Sequence, residues 1–94
     1  MYAAVRRYEG VTDPAAVARF VEEGFAPLVR QVPGFVAFYW LDAGNGVVVS
    51  TSVFQDRAGA EESTLRAANF VRDNLGSLLP HPPEVMAGEV VASA

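Results

Sequence analysis

Phe35-Val36-Ala37-Phe38-Tyr39-Trp40-Leu41, then Asp42-Ala43-Gly44-Asn45-Gly46, then Val47-Val48-Val49-Ser50-Thr51-Ser52-Val53-Phe54 is the stretch that decides the fold. Two runs rich in β-branched and aromatic residues flank a short polar, glycine-rich break. That pattern predicts two strands, and Asn-Gly is the strongest short-range signal for a hairpin between them. A two-residue turn at Asn45-Gly46 places Trp40 near Thr51 and Phe38 near Val53. In this register one face carries Val36, Phe38, Trp40, Val47, Val49, Thr51 and Val53. The other carries Phe35, Ala37, Tyr39, Leu41, Val48, Ser50, Ser52 and Phe54. Both faces are largely apolar, whereas an antiparallel sheet with one wet face alternates apolar and polar.

Upstream, Pro33-Gly34 ends a helix. That helix starts at Asp13-Pro14, since Asp can cap and Pro suits the first helical position. Val17, Phe20, Val21, Gly24, Leu28 and Val32 recur at helical spacing, and Pro27 inside the run predicts a kink or break near Gly24. Tyr2 to Tyr8 reads as the first strand. Downstream, Asp56 caps a second helix running to about Leu79, with Leu65, Ala68, Val71, Leu75 and Leu78 as its expected buried stripe. Leu79-Pro80-His81-Pro82-Pro83 is a rigid connector, and Glu84 to Ala92 is the last strand. The order is β-α-β-β-α-β, the split βαβ unit. The fold class is therefore α+β and ferredoxin-like: a four-stranded antiparallel sheet with both helices on one face.

The chain has 94 residues, which fits one domain spanning residues 1–94. Two helices cover one sheet face, so the other leaves an apolar patch that a two-fold partner would cover. A homodimer is the expected state, since a domain this short gains unusually from association. The composition is 51% hydrophobic and 19% charged, the profile of a globular protein. Net charge is -4, and all seven cations are arginines with no basic stripe. This argues against nucleic acid and against anionic membrane surfaces as partners. Cysteine is absent, which excludes disulfides, thiol chemistry and cysteine-based metal sites. No apolar run suggests a signal peptide or a membrane span, so a cytoplasmic location is expected.

Few residues offer chemistry. His81 is the sole histidine, the natural base near neutral pH, but its connector also suits a helix cap or a solvent-facing side chain. Arg6 and Arg7 point to opposite sheet faces. A buried arginine can hold a carboxylate, phenolate or enolate, and the plainer reading is an edge-strand ion pair with Glu9 or Glu89. Tyr39, Ser50 and Ser52 share a face in the assumed register. Small hydroxyls there leave room for a ligand, or bond to backbone in ordinary packing. Trp40 and the phenylalanines can line an aromatic cavity or fill a core. Asn69 lies one step off the helix stripe, at a pocket edge or in solvent. Glu22-Glu23 and Glu61-Glu62 are adjacent on helices and do not face each other, so neither is a shared-proton pair.

The βαββαβ order, Val32-Pro33-Gly34-Phe35 at the second strand and Val53-Phe54-Gln55-Asp56 before the second helix resemble the antibiotic biosynthesis monooxygenase-like proteins of the dimeric α/β-barrel superfamily. The resemblance implies two sheets packed face to face as a barrel, with a pocket in each subunit between sheet and helices. It also implies oxygenation of phenolic, quinol or anthrone compounds without metal, flavin or other cofactor, the substrate supplying the electrons. The haem-degrading relatives use a histidine on the second helix, and none stands there in this chain. On this reading Trp40 packs a ring, with Ser50 and Ser52 beside it. His81 or Tyr39 transfers a proton, Arg6 stabilises an anion and Asn69 orients the substrate. The alternative is a dimer that binds a small apolar molecule, or only builds structure, without catalysis.

Overall fold

The computed structural model describes all of residues 1–94. Its strands are β1 (Tyr2–Tyr8), β2 (Phe35–Gly44), β3 (Val47–Phe54) and β4 (Glu84–Glu89). Helices α1 (Pro14–Phe20) and α2 (Ala26–Arg30) are joined by a π-helical turn at Val21–Phe25, and α3 (Arg57–Phe70) runs into a second π-helical turn at Val71–Leu75. The sheet order is β2-β3-β1-β4, and every neighbouring pair is antiparallel. This is the ferredoxin-like arrangement the sequence predicts. The last strand ends earlier than expected, at Glu89, and the second helix ends at Leu75. No helix is long and apolar enough to cross a membrane.

The hairpin register differs from the expected one. Trp40 pairs with Ser50, Phe38 with Ser52 and Tyr39 with Thr51. The cause is the turn. Gly44, Asn45 and Gly46 all take positive φ, at 83°, 55° and 75°. The chain reverses through three left-handed residues instead of two, with an irregularity between Asp42 and Gly44. One extra residue moves the β2 side chains around Trp40 to the opposite face from the one assumed. Phe38 and Trp40 therefore join Ser50, Ser52 and Phe54 on the helix side. Tyr39 and Leu41 face the other way. The grouping of Tyr39 with Ser50 and Ser52 is thus corrected. The tip is anchored by Val11, whose N–H donates to the Gly46 carbonyl at 3.0 Å.

Both helices start as their sequences dictate. Asp13 accepts from the Ala16 N–H at 3.1 Å, and Asp56 accepts from the Gly59 N–H at 3.0 Å. The predicted break near Gly24 takes the form of the first π turn, in which the Ala26 N–H reaches back to Val21. Pro27 has no N–H to give and would crowd the carbonyl four residues earlier, and the wider turn accommodates it. Gly24 also lies flat against Phe70. A Cβ there would stand 2.8 Å from two of the ring's carbons. In the second helix the buried positions are Gly59, Ala60, Ser63, Ala67 and Leu75. The expected stripe is corrected accordingly: Leu65 is 58% exposed and Ala68 is exposed. Small residues, not leucines, let α3 settle closely on the sheet.

The two segments that carry the family resemblance meet in space. The Gln55 N–H donates to the Gly34 carbonyl at 2.8 Å, and Phe35 packs edge-on to Phe54 with ring centroids 6.0 Å apart. Gly59 sits so tightly here that a Cβ would stand 2.9 Å from both the Pro33 carbonyl oxygen and Phe54. Pro-Gly-Phe and Phe-Gln-Asp are thus one joint between α2, the central hairpin and α3. They specify architecture, not chemistry. The core lies between the sheet and the helices, around Ala4, Val17, Val29, Val48 and Phe54.

Candidate functional site

β1 is an interior strand of the sheet, so alternate residues Ala4, Arg6 and Tyr8 project into the space beneath the helices. Arg6 is 2% exposed. Its Nη1 donates to Ser50 Oγ and Ser52 Oγ, both at 3.3 Å. Its Nη2 donates to Ser63 Oγ at 2.9 Å and Thr64 Oγ1 at 3.1 Å. The two helix hydroxyls in turn donate to the Ala60 carbonyl at 2.7 and 3.2 Å, which turns their lone pairs toward the guanidinium. Four neutral hydroxyls thus hold a buried cation, and no carboxylate is among them. The ion pair with Glu9 belongs to Arg7, on the exposed face. The expected edge-strand ion pair for Arg6 is corrected on that ground. Burial pulls the Arg6 pKa down, and Tyr8 partly offsets this.

A cavity opens beside this group, between the sheet and the two π turns. Nine of its eleven lining residues are hydrophobic. Val21 and Phe25 come from the first π turn, and Val71 and Leu75 from the second. π turns are rare and recur at functional sites. Trp40, Ser50 and Arg6 lie side by side across β2, β3 and β1 on the cavity floor. Ser50 is the small member, and it leaves a bay between two large ones. Phe25 packs on Phe38 and Phe70 at centroid distances of 5.4 and 5.6 Å, and Tyr8 lies 5.7 Å from Trp40. The space left is about 10 Å³, room for roughly one water molecule.

Two of the residues that line this cavity each carry a buried donor that meets no acceptor: the Arg6 Nε–H and the Trp40 indole N–H. Such orphans are uncommon in folded proteins, because each forfeits its hydration without return. Tyr8 adds a phenol whose pKa is raised, first by burial, with the charge of Arg6 pulling the other way. It stays protonated at neutral pH.

Arg6, Trp40, Ser50 and Ser52 are brought together on the helix side of the sheet. The other expected site residues are elsewhere. Tyr39 is 63% exposed on the opposite face. Asn69 is exposed on α3, at the rim of a surface depression bounded by Leu28 and Phe70. His81 is exposed and lies against Gly10, where a Cβ would come within 2.8 Å of the imidazole. Nowhere do three or more His, Asp or Glu side chains converge as a metal site would need. Ser63 and Thr64 are site residues that the sequence reading missed. Their signal was faint: two hydroxyls on a helix whose stripe was placed two positions away.

No family model and no curated protein matches the chain. Solved structures do. A protein of unknown function from Nitrosomonas europaea is 27% identical, with a TM-score of 0.80 over 99% of this chain and 91% of that one. A monooxygenase from Streptomyces coelicolor, solved in complex with the ligand nanaomycin D, is 22% identical, with a TM-score of 0.71 over 98% and 92% of the two chains. A second Nitrosomonas europaea protein, provisionally assigned to the antibiotic biosynthesis monooxygenases, is 14% identical, with a TM-score of 0.76 over 96% and 89%. The chain thus has the ferredoxin-like fold of the antibiotic biosynthesis monooxygenase-like proteins.

Proposed function

We propose that the protein is a homodimer that binds a small aromatic molecule in the cavity between sheet and helices of each subunit and oxygenates it without a cofactor. The observation that carries this reading is the cavity itself: largely apolar and aromatic walls that include two residues with buried, unpaired N–H donors. Apolar walls with a few convergent polar groups are what a small-molecule site requires. An electron-rich ring that has lost its proton to solvent gives an electron to dioxygen, the carbon and oxygen radicals combine, and the peroxide so formed takes up a proton and loses water to leave a ring carbonyl. Arg6 and Trp40 supply fixed donors for negative charge on the bound molecule. Phe38 packs on the ring, with the edge of Trp40 beside it. The cavity as it stands is smaller than a ring, so binding requires a wall to yield. Phe70 is the wall best placed to do so, since it is half-buried and packs on Gly24 and Phe25 at the cavity's edge.

Two observations favour the rival reading of a binding or structural dimer. The cavity is small, and Tyr39, Asn69 and His81 lie outside it. Oxygen uptake decides between them. Purified protein with a chelator present, given anthrones, quinols and hydroxynaphthalenes, is expected to consume oxygen, and Arg6→Gln is expected to lower the rate about 100-fold, the usual effect of removing one anion-stabilising donor. Binding without uptake for every compound would leave the rival.

A further inference from the structure

We infer that the cavity takes its ring as a preformed anion, an aromatic carboxylate, and not as a neutral phenol. The inference rests on the reading that the cavity holds a ring, and it names the class of ring.

Three features of the lining lead there. First, it contains no Asp, Glu or His. Its one titratable acid, Tyr8, is held protonated by burial. A neutral phenol entering this space finds nothing to take its proton. Second, the guanidinium of Arg6 lacks a counter-charge. Its four Nη hydrogen bonds go to neutral hydroxyls, and the ion pairs of the chain are made by Arg7, Arg57, Arg66 and Arg72. A buried charge without a partner is costly, and a ligand carboxylate removes that cost. Third, the unmet demand is for acceptors alone. Arg6 Nε–H and Trp40 N–H flank Ser50 across three adjacent strands. A carboxylate brings two acceptor oxygens, one for each donor, while its ring lies on the apolar walls. Water fits the space but leaves the charge uncompensated.

The consequence for the reaction is specific. The ring that is oxygenated is anchored by a carboxylate, and its hydroxyl loses its proton to solvent before the ring enters, since the lining offers no base.

The test compares benzoate with benzamide, which has the same shape without the charge. Binding is measured by calorimetry, and the emission of Trp40, the single tryptophan, reports where the ligand sits. Benzoate is expected to bind about tenfold tighter or more, since charge-assisted hydrogen bonds exceed neutral ones by such amounts. Its affinity should be flat between about pH 6 and 9, where a carboxylate stays ionised. Arg6→Gln should erase the preference. Trp40→Phe, whose folding is checked by circular dichroism, should weaken benzoate severalfold and benzamide less. Equal binding of the two ligands by the natural protein would overturn the inference, as would no benzoate binding, or a preference that survives in Arg6→Gln. The two proposals fail separately. Benzoate binding with no oxygen uptake from any hydroxyaryl carboxylate refutes the oxygenase alone. Uptake with neutral quinols that benzoate does not inhibit refutes the carboxylate alone.

Discussion

Arg6 and Arg7 are neighbours in sequence and opposites in environment. Alternation along β1 sends Arg7 to solvent and Glu9, and Arg6 under the helices. That much is readable in the sequence. The four hydroxyls that receive Arg6 are not, because they come from two strands and a helix that only folding brings together. The orphan donors carry a consequence for stability. The indole N–H of Trp40 has no partner to lose, so Trp40→Phe should cost only about 1 kcal/mol, at the low end for a core aromatic, while ligand binding suffers more. Chemical denaturation of the two proteins measures this. Tyr8 gives a pH signature. Burial raises its pKa, so the folded chain keeps the proton longer than the unfolded one. The unfolded state ionises first as pH passes about 10, and stability falls from there upward. Between about pH 9 and 11 the melting temperature should drop further in the natural protein than in Tyr8→Phe.

The elements follow the sequence where local signals are strong. Asp13 and Asp56 cap where expected, and Pro27 perturbs the first helix where expected. The errors come from features with no local mark. A run of three positive-φ residues looks like an Asn-Gly turn until the register is seen, and the slip carries Tyr39 out of the site and Trp40 into it. The second π turn has no proline to announce it. There the Asn74 side chain donates to the Phe70 carbonyl at 3.1 Å. Gly24 holds the two helical segments together by its lack of a side chain. Alanine is ordinarily better in a helix by about 1 kcal/mol, yet Gly24→Ala should destabilise by about 1–3 kcal/mol, because its Cβ collides with Phe70. The double variant Gly24→Ala, Phe70→Ala should recover part of that loss, a coupling that a cycle of thermal or denaturant melts reveals.

The whole molecule is two-sided. One sheet face is buried by helices. The other presents Val5, Val49, Thr51 and Val53 at its centre, with Tyr39, Leu41 and Met86 exposed around them, Met86 at 66%. A face of this kind is what the proposed homodimer would bury, a second copy covering it with two-fold symmetry. Sedimentation at micromolar concentration should give a dimer, and Leu41→Glu should shift it to monomer and lower the melting temperature. A natural chain that sediments as a monomer would remove the dimer from the account.

The ring is proposed to bind on the helix side, between Arg6 and Trp40. A crystal structure of the protein soaked with 2-naphthoate tests it most directly. Density is expected for the ring over Ser50, with the carboxylate on Arg6 Nε and the Trp40 indole nitrogen, and Phe70 displaced from Gly24. Density confined to the outer face beside Tyr39, or a cavity holding only water at saturating ligand, would contradict it.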